Sequence, residues 1–564
     1  MFRCLIAAAG LVFLPLGSAA QGPSPAAPAA PASERGLCLV SGHVVRAANN
    51  DPLKKAYVYL RKSGGRGQAE GYVAITDSEG HFSISGLPAG EYTLSVERAG
   101  YVPQSYGQGK FMRAGTPLVL APGSSVHDLL FRMVATAVIT GRISNEDGNP
   151  VAGARISVLR SAFRNGKRTV DEAGGARTND RGEYRIWGLR GGSYFIRAVK
   201  EPLQYRAGSG TTGEGSADQP RSGYAPVYYP GTADLSHAGA VEVGPGQEVP
   251  AVDLILVPTR AVRVTGHVIT FRPAEQLSGN VTLSSMDGAG IRDLTNMVVL
   301  GPKGGLFAFE AVVPGAYEVR AMIPHDGKTL VGTRRIEVGS ADVEGVDLAP
   351  ALGMEVRGQL RSESREKIDV SGMKVWLRPR EEDYRTSAGE DIQNNGTFVF
   401  HDVNEGSYDF EFGGTGPGVY LKDVRVGGAN TLESGITVGP SGIRGTLEVV
   451  LGGPTGEVEG EVTDEFGLPA PGAVAVLVPD GAMRTVYQFY RIASTDQQGK
   501  FAVRNVRPGD YKMFSWSDIE EGEWEDPEFL KRVEDKGVKV SVEENGRHTV
   551  SLKVIGAQAA GKAQ

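Results

Sequence analysis

The chain has 564 residues, of which 78 are Gly and 32 are Pro, with 40% hydrophobic and 22% charged residues. Collagen is excluded because there is no Gly-X-Y period, and wholesale disorder is excluded because the apolar fraction is that of a globular protein. The formal net charge of -7 provides no basic surface for a nucleic acid, so we expect no nucleic-acid partner.

The N-terminal segment has the pattern of an export signal. Arg3 precedes an apolar stretch from Leu5 to Leu16, and Ser18-Ala19-Ala20 offers a small-residue cleavage site. The apolar stretch is too short to span a bilayer, so we expect no transmembrane segment after cleavage. Cys38 would then be the only cysteine of the mature chain, which excludes an intramolecular disulfide. The protein is expected in the periplasm, on the outer cell surface or in the medium.

One pattern follows five times: Gly-x-aromatic-x-apolar-x-x-apolar-x-x-Gly-x-Tyr. Its copies begin at Gly80, Gly182, Gly305, Gly396 and Gly499. Each copy is preceded by an opening glycine in an apolar segment, and these are Gly42, Gly141, Gly266, Gly358 and Gly460. Two markers in register five times indicate five tandem domains. The predicted division is a signal peptide (1–20), a Pro/Ala linker (21–36), unit 1 (37–134), unit 2 (135–258, with a Gly/Ser-rich insertion at 200–218), unit 3 (259–351), unit 4 (352–453), unit 5 (454–555) and a tail (556–564).

Residues within each unit alternate between apolar and polar. Tyr92, Leu94 and Val96 point one way, while their neighbours are polar. Such alternation is typical of half-buried antiparallel strands, and short strands without a helical period predict an all-β fold of sandwiches with about seven strands each. The tyrosine that ends each copy of the pattern begins a strand on its inward face, and we assign to the core Tyr92, Tyr194, Tyr317, Tyr408 and Tyr511.

The residues of units 1, 2 and 5 resemble a known family. The unit opens on apolar-x-Gly-x-Val and continues with Pro150-Val151-Ala152-Gly153-Ala154, then with Thr-Asp-x-x-Gly-x-Phe from Thr76 to Phe82 and Leu-Pro-x-Gly-x-Tyr from Leu87 to Tyr92. This looks like the carboxypeptidase regulatory-like domain, and units 3 and 4 keep less of it. The resemblance implies a transthyretin-like Greek-key sandwich, grouped with carbohydrate-binding-like folds, in an exported bacterial protein. In metallocarboxypeptidases this domain is an accessory, and the catalytic domain is absent here.

Catalytic and metal-binding patterns are missing from the sequence. None of the eight His residues has metal-ligand spacing on one element, and there is no His-Glu-x-x-His or Gly-x-Ser-x-Gly. His43 and His267 occupy equivalent strand positions, where the other units have Arg142, Gln359 and Glu461. We therefore interpret them as solvated, and we predict no catalytic residue, no metal site, no cofactor and no enzyme activity.

Aromatic residues are the remaining functional signal. Sugar-binding sandwiches stack pyranose rings on exposed Trp or Tyr. The candidates in outward or loop positions are Tyr57, Tyr59, Tyr101, Tyr106, Tyr224, Tyr228, Tyr229, Trp376, Trp516 and Trp524. The alternative is that these rings cover strand edges or pack on an adjacent domain.

An acidic segment departs from the repeat in unit 5. It contains Asp518, Glu520, Glu521, Glu523 and Asp526. These carboxylates could ligate calcium, but their spacing matches no EF-hand, which favours a solvated acidic loop. Asp526 as N-cap and Pro527 at the first helical position predict a short helix over 528–534.

The favoured function is therefore non-enzymatic binding at the cell envelope, with a polysaccharide as the ligand. The alternative is a structural spacer or protein-adhesion stalk that contacts envelope proteins and has no small ligand. Connections of a few residues between units favour constrained neighbours, and five units in line would reach about 150–200 Å.

Overall fold

A computed structural model describes most of the repeat region of the chain. The described residues are 36–62, 71–108, 115, 118–200, 222–269, 278–286, 292–300, 305–326, 328–363, 370, 372–380, 388–414, 418–496, 498–517 and 519–556. The predicted signal peptide, nearly all of the linker, the Gly/Ser-rich stretch of unit 2 from 201 onward, the candidate calcium ligand Asp518 and the tail from 557 lie outside them. No helix in these ranges is long and apolar enough to cross a membrane.

The all-β prediction is confirmed, because strands make up nearly all of the regular structure. Unit 1 contains β1 (Cys38–Arg46), β2 (Tyr57–Lys62), β3 (Gly71–Ile75), β4 (His81–Leu87), β5 (Gly90–Glu97), β6 (Gln104–Ser105), β7 (Leu118–Leu120) and β8 (Ser125–Met133). Unit 2 contains β9 (Ala137–Asn145), β10 (Arg155–Arg164), β11 (Lys167–Arg177), β12 (Glu183–Leu189), β13 (Gly192–Val199), β14 (Ser222–Tyr224), β15 (Val227–Tyr228), β16 (Val241–Val243), β17 (Glu248–Val249) and β18 (Leu254–Leu256).

The later units follow the same order of elements. Unit 3 is entered through β19 (Pro258–Arg260) and contains β20 (Val262–His267), β21 (Gly279–Met286), β22 (Arg292–Leu300), β23 (Leu306–Val312), β24 (Gly315–His325), β25 (Lys328–Val338) and β26 (Ala351–Leu352). Unit 4 contains β27 (Met354–Ser362), β28 (Lys374–Pro379), β29 (Ala388–Asp391), β30 (Thr397–Val403), β31 (Gly406–Gly413), β32 (Tyr420–Val426), β33 (Ala429–Asn430), β34 (Ile436–Val438) and β35 (Leu447–Gly452).

Unit 5 adds a helix to the strands. It contains β36 (Gly456–Thr463), β37 (Val474–Pro479), β38 (Arg491–Ser494), β39 (Lys500–Val506), β40 (Gly509–Trp516), helix α1 (Pro527–Arg532), β41 (Val538–Val542) and β42 (Arg547–Lys553). The helix begins as expected, because the Asp526 side chain accepts a hydrogen bond from the Glu528 N–H and Pro527 occupies the first turn. It ends at Arg532, two residues before the predicted end.

Each unit has two sheets. In the first sheet, the opening strand pairs antiparallel with the strand of the Gly-x-aromatic pattern, as β1 does with β4. In units 1, 2, 4 and 5 the opening strand also pairs parallel with a late strand, as β1 does with β8. In the second, a central strand lies between two antiparallel partners, as β2 lies between β3 and β5. Buried apolar residues of both sheets form a core cluster in each unit.

The opening glycine sits where the first strand crosses close to a late segment. A Cβ atom built on Gly266 would lie 2.0 Å from the Val346 carbonyl oxygen and 2.5 Å from the Phe307 ring. Gly141 and Gly460 approach the carbonyls of Val252 and Val550 as closely. No other residue type fits this contact without moving the backbone, which explains why the marker recurs.

The threonine of the Thr-Asp pattern joins two turns inside the core. The Thr76 hydroxyl donates to the Leu53 carbonyl at 2.6 Å and accepts from the Ala56 N–H at 2.9 Å. Thr178 and Thr495 make the same pair of bonds in units 2 and 5. These buried polar groups are thereby satisfied, and the shared geometry explains why units 1, 2 and 5 keep the pattern.

The five terminal tyrosines are all buried, as predicted. Each hydroxyl donates a hydrogen bond of 2.8 Å to the carbonyl four residues earlier, which ties the preceding turn to the core. Burial raises the pKa of Tyr317 and of Tyr511 to about 12. A buried phenol with a partner on the backbone is stable only in its neutral form.

Neighbouring units touch through short backbone contacts. The Thr136 N–H of unit 2 donates to the Gly100 carbonyl of unit 1 at 2.9 Å. Strand β14 of unit 2 pairs with β19 at the entry to unit 3. Phe489 of unit 5 packs into the core cluster of unit 4, and the Gln488 amide donates to the Phe410 carbonyl at 2.8 Å.

The close approach at the opening glycine gives a first prediction. Gly266→Ala should destabilise unit 3 by about 1–3 kcal/mol, because the added methyl group overlaps the Val346 carbonyl. Hydrogen exchange of the full chain, followed by mass spectrometry, should show lost protection in β20 and β23. Gly339→Ala is the matched control, since the Cβ site of Gly339 is open. Equal protection in the two variants would contradict the steric explanation.

Candidate functional site

Two of the predicted sugar-stacking residues, Trp516 and Trp524, are buried and cannot stack on a sugar. Trp516 lies on the outer face of the second sheet of unit 5, stacked on Phe514 with ring centroids 5.6 Å apart. Phe529 of helix α1 covers it from the other side, with ring centroids 5.8 Å apart. The insertion between β40 and β41 thus builds a second core on this face, and the packing alternative holds here.

Tyr228 is also buried, which contradicts its assignment as an exposed sugar-stacking residue. It lies in β15, which pairs with the edge of β13 opposite Arg197. The Arg197 guanidinium carbon is 5.9 Å from the centroid of the Tyr228 ring. Arg197 is itself buried, so a positive charge occupies the place where a ligand would stack.

The other loop tyrosines are half-buried. Tyr101 and Tyr106 pack against the core of unit 1, and Arg98 lies 5.3 Å from the Tyr101 ring centroid. Tyr224 and Tyr229 pack against the core of unit 2. Burial is the main reason why the pKa of Tyr106 is raised. These four rings support the fold at least in part.

Unit 1 presents an aromatic face to solvent on its second sheet. Tyr57 is 46% exposed, and its ring lies 6.3 Å from that of Tyr59, with 15° between the planes. The Arg61 guanidinium carbon is 5.9 Å from the Tyr59 centroid. Ile75 and Val73, directly across on β3, are both exposed. These five residues, the unit 1 face, form one apolar strip with a cation at its end.

Unit 4 presents a single indole on the equivalent sheet. Trp376 lies over glycines on both sides, because a Cβ atom on Gly389 would be 2.6 Å from its ring and one on Gly413 would be 2.9 Å from it. The ring is half-buried. Arg378, two residues on, donates to the Glu411 carboxylate at 2.7 Å. We call Trp376 with its two glycines and this ion pair the unit 4 face.

The two faces occupy the same place in the repeat. Tyr59 and Trp376 are both the second outward residue of the central strand, and Arg61 and Arg378 both follow two residues later. In unit 5 the corresponding Val476 is buried beneath the inserted helix. The sequence named Tyr59 and Trp376 as candidates together with Trp516 and Trp524. The structure distinguishes the two pairs, because only Trp516 and Trp524 are buried.

Two exposed aromatics, Trp187 and Phe466, were not among the candidates from the sequence. Trp187 is 76% exposed, at a point of β12 where the register with β9 shifts. The equivalent residues in the other units are polar, namely Ser85, Glu310, His401 and Arg504. An alignment of the five repeats would have identified Trp187 as the exception.

The structure also brings together two histidines that the sequence left apart. His43 and His81 lie opposite each other on β1 and β4, with ring centroids 5.2 Å apart. His267, which aligns with His43, faces Leu306 instead. Spacing along one element could not identify a pair formed across two strands.

Groups suited to catalysis are not assembled in the part of the chain that the structure describes. No group of three or more His, Cys, Asp or Glu there could hold a metal ion. The Cys38 thiol is buried and donates to the Ala121 carbonyl at 3.0 Å. It has no access to a substrate.

Comparison with known proteins identifies the first unit. The family model described as the carboxypeptidase regulatory-like domain matches residues 40–126. These residues form a carboxypeptidase regulatory-like domain. The matched range starts in β1 and ends in β8, so it includes the strands of both sheets. Among curated proteins, no relative matches the chain.

Several solved structures share low similarity with the chain. A streptococcal ancillary pilin is 13% identical, with 56% of this chain and 99% of that chain covered and a TM-score of 0.19. The minor pilin GBS52 of Streptococcus agalactiae is 14% identical, with coverages of 39% and 95% and a TM-score of 0.21. The shaft pilin SpaA of Lactobacillus rhamnosus GG is 11% identical, with coverages of 40% and 98% and a TM-score of 0.19. We draw no functional argument from these similarities.

The contrast between buried and exposed aromatics gives a second prediction. Trp516→Ala should destabilise unit 5 by about 3–5 kcal/mol, because it leaves a cavity between the sheet and helix α1. Tyr57→Ala should change stability by about 0.5 kcal/mol or less, because the side chain lies on the solvent face of the sheet and is 46% exposed. Hydrogen exchange of the two units in the full chain measures both effects. Similar losses of protection would contradict the assignment of Trp516 to a core.

Proposed function

We propose that the chain is an exported, non-catalytic array of five β-sandwich domains that binds polysaccharide through the unit 1 and unit 4 faces. The observation that carries the proposal is the shared position of Tyr59 and Trp376, each followed by an arginine on the outer face of a sheet. The carboxypeptidase regulatory-like domain at residues 40–126 is in keeping with an accessory, non-catalytic role.

The chemistry of the two faces suits a sugar. An aromatic ring on a flat sheet offers its π-surface to the apolar C–H face of a pyranose. Charged side chains at the edge of the ring, such as Arg378 and Glu411 beside Trp376, can donate to or accept from the sugar hydroxyls. Because both faces lie on regular strands, little conformational entropy would be lost on binding.

The spacer or adhesion stalk is the second candidate. It is favoured by the contacts between neighbouring units, which include the Thr136 bond to Gly100 and the Phe489 contact with unit 4. Such contacts constrain the domains relative to one another. This candidate needs no ligand on either aromatic face and makes an envelope protein the partner.

A binding experiment with matched variants separates the two candidates. The full mature chain should bind at least one glycan on an array, or be retained by cellulose or chitin in a pull-down. Tyr59→Ala and Trp376→Ala should each weaken binding about tenfold, corresponding to about 1.4 kcal/mol of lost stacking. Trp187→Ala is the control, because it removes an exposed indole that lies on neither face.

Two results would count against carbohydrate binding. A blank array and no retention by either polymer would leave the spacer as the better account. Binding that survives Tyr59→Ala and Trp376→Ala but is lost in Trp187→Ala would show that the two faces are not the site.

A further inference from the structure

The two units that depart most from the repeat are in contact with each other. In unit 2, β10 pairs with β13 only as far as Leu159, but its pairing with β11 continues to Arg164 and Lys167. Residues 160–168 therefore project beyond the sheet as a hairpin, which we call the arm. Asn165 and Gly166 at its tip both have positive φ, 50° and 70°, which suits a two-residue turn between twisted strands.

The arm is seated on the segment between β40 and β41 of unit 5, of which residues 517 and 519–537 are described and are called the insertion here. A Cβ atom on Gly522 would lie 2.2 Å from the Phe163 carbonyl oxygen, so the two backbones are in direct contact. At the tip, a Cβ atom on Gly166 would lie 1.9 Å from the Tyr487 hydroxyl oxygen of unit 5. Both positions require glycine for the contact to form.

Polar bonds complete the contact. The Glu525 carboxylate accepts a hydrogen bond of 2.7 Å from the Asn165 N–H and a second from the Gly166 N–H. Arg160 and Glu521 form an ion pair of 3.5 Å at its edge. Burial at the contact raises the pKa of Glu525, while the two N–H bonds act against that shift.

Part of the acidic segment of unit 5 therefore has a role that differs from both interpretations of its sequence, the solvated loop and the calcium site. Its carboxylates were expected to be solvated or to ligate calcium. One of them, Glu521, instead pairs with Arg160 of the arm. Glu525, which lies in the same segment but was not among the candidates, accepts a hydrogen bond from the Asn165 N–H of the arm. The arm and the insertion carry opposite charges where Arg160 meets Glu521.

We propose that the insertion is a docking surface for the arm of the same chain, and that this contact closes units 2 to 5 into a ring in solution. The tethered arm has the advantage of effective concentration over any arm from a second molecule. The closed ring replaces the straight array of about 150–200 Å that short connections alone would favour. The proposal does not depend on the identity of the ligand.

The test is small-angle X-ray scattering of the full mature chain and two turn variants. Gly166→Asn keeps a residue that tolerates positive φ but places a side chain against Tyr487, so it should release the arm. Its maximum dimension should increase by about 30 Å, roughly one domain diameter. Gly148→Asn is the control in the same unit, because Gly148 also has positive φ, 80°, and open space around its Cβ site. It should match the unmodified chain.

A charge exchange gives a second, independent measurement. Arg160→Glu places two carboxylates together and should shift the scattering towards the released form. Adding Glu521→Arg should return it to the closed form, because the pair is restored with reversed signs. Rescue of this kind requires the two side chains to be neighbours.

Three results would overturn the proposal. The unmodified chain could already have the dimensions of a straight array, or Gly166→Asn could leave them unchanged. Light scattering could also show a dimer that becomes a monomer in Gly166→Asn, in which case the arm docks on a second copy of the chain rather than on its own unit 5.

Discussion

The close crossing of the opening strand over a late segment is the constraint on which units 1, 2, 3 and 5 depend. At Gly266 the gap to the Val346 carbonyl admits no side chain. This approach brings the two ends of the unit side by side, so that a single sandwich is complete within about a hundred residues. The buried tyrosine, bonded to the turn four residues earlier, fixes the opposite end of the same core.

Because each unit has a core of its own, the residues on the outer faces of the sheets differ from unit to unit. In units 1 and 4, Tyr59 and Trp376 are half-buried at one position, whereas unit 5 covers the equivalent Val476 with helix α1. The same sheet face therefore serves as solvent-exposed surface in some units and as a second core in another. Hydrophobic burial decides between these outcomes, since unit 5 supplies the inserted helix that covers its face.

The departures from the repeat also have a common explanation. The hairpin of unit 2 and the insertion of unit 5 lie in direct backbone contact at Phe163 and Gly522. At the tip of the arm, the N–H groups of Asn165 and Gly166 donate hydrogen bonds to the Glu525 carboxylate. Folding the chain back places its non-adjacent units in contact, which the lengths of the connections could not indicate.

The sequence by itself determined the all-β class, the five copies of the pattern and the inward position of the five tyrosines, because glycine turns and alternating residues are local signals. It could not separate Tyr59 from Trp516, since both are outward on a strand and only a distant segment covers the second. The His43 and His81 pair and the arm's contact with unit 5 were equally hidden. Tertiary structure decided these features, because each depends on residues far apart in the chain.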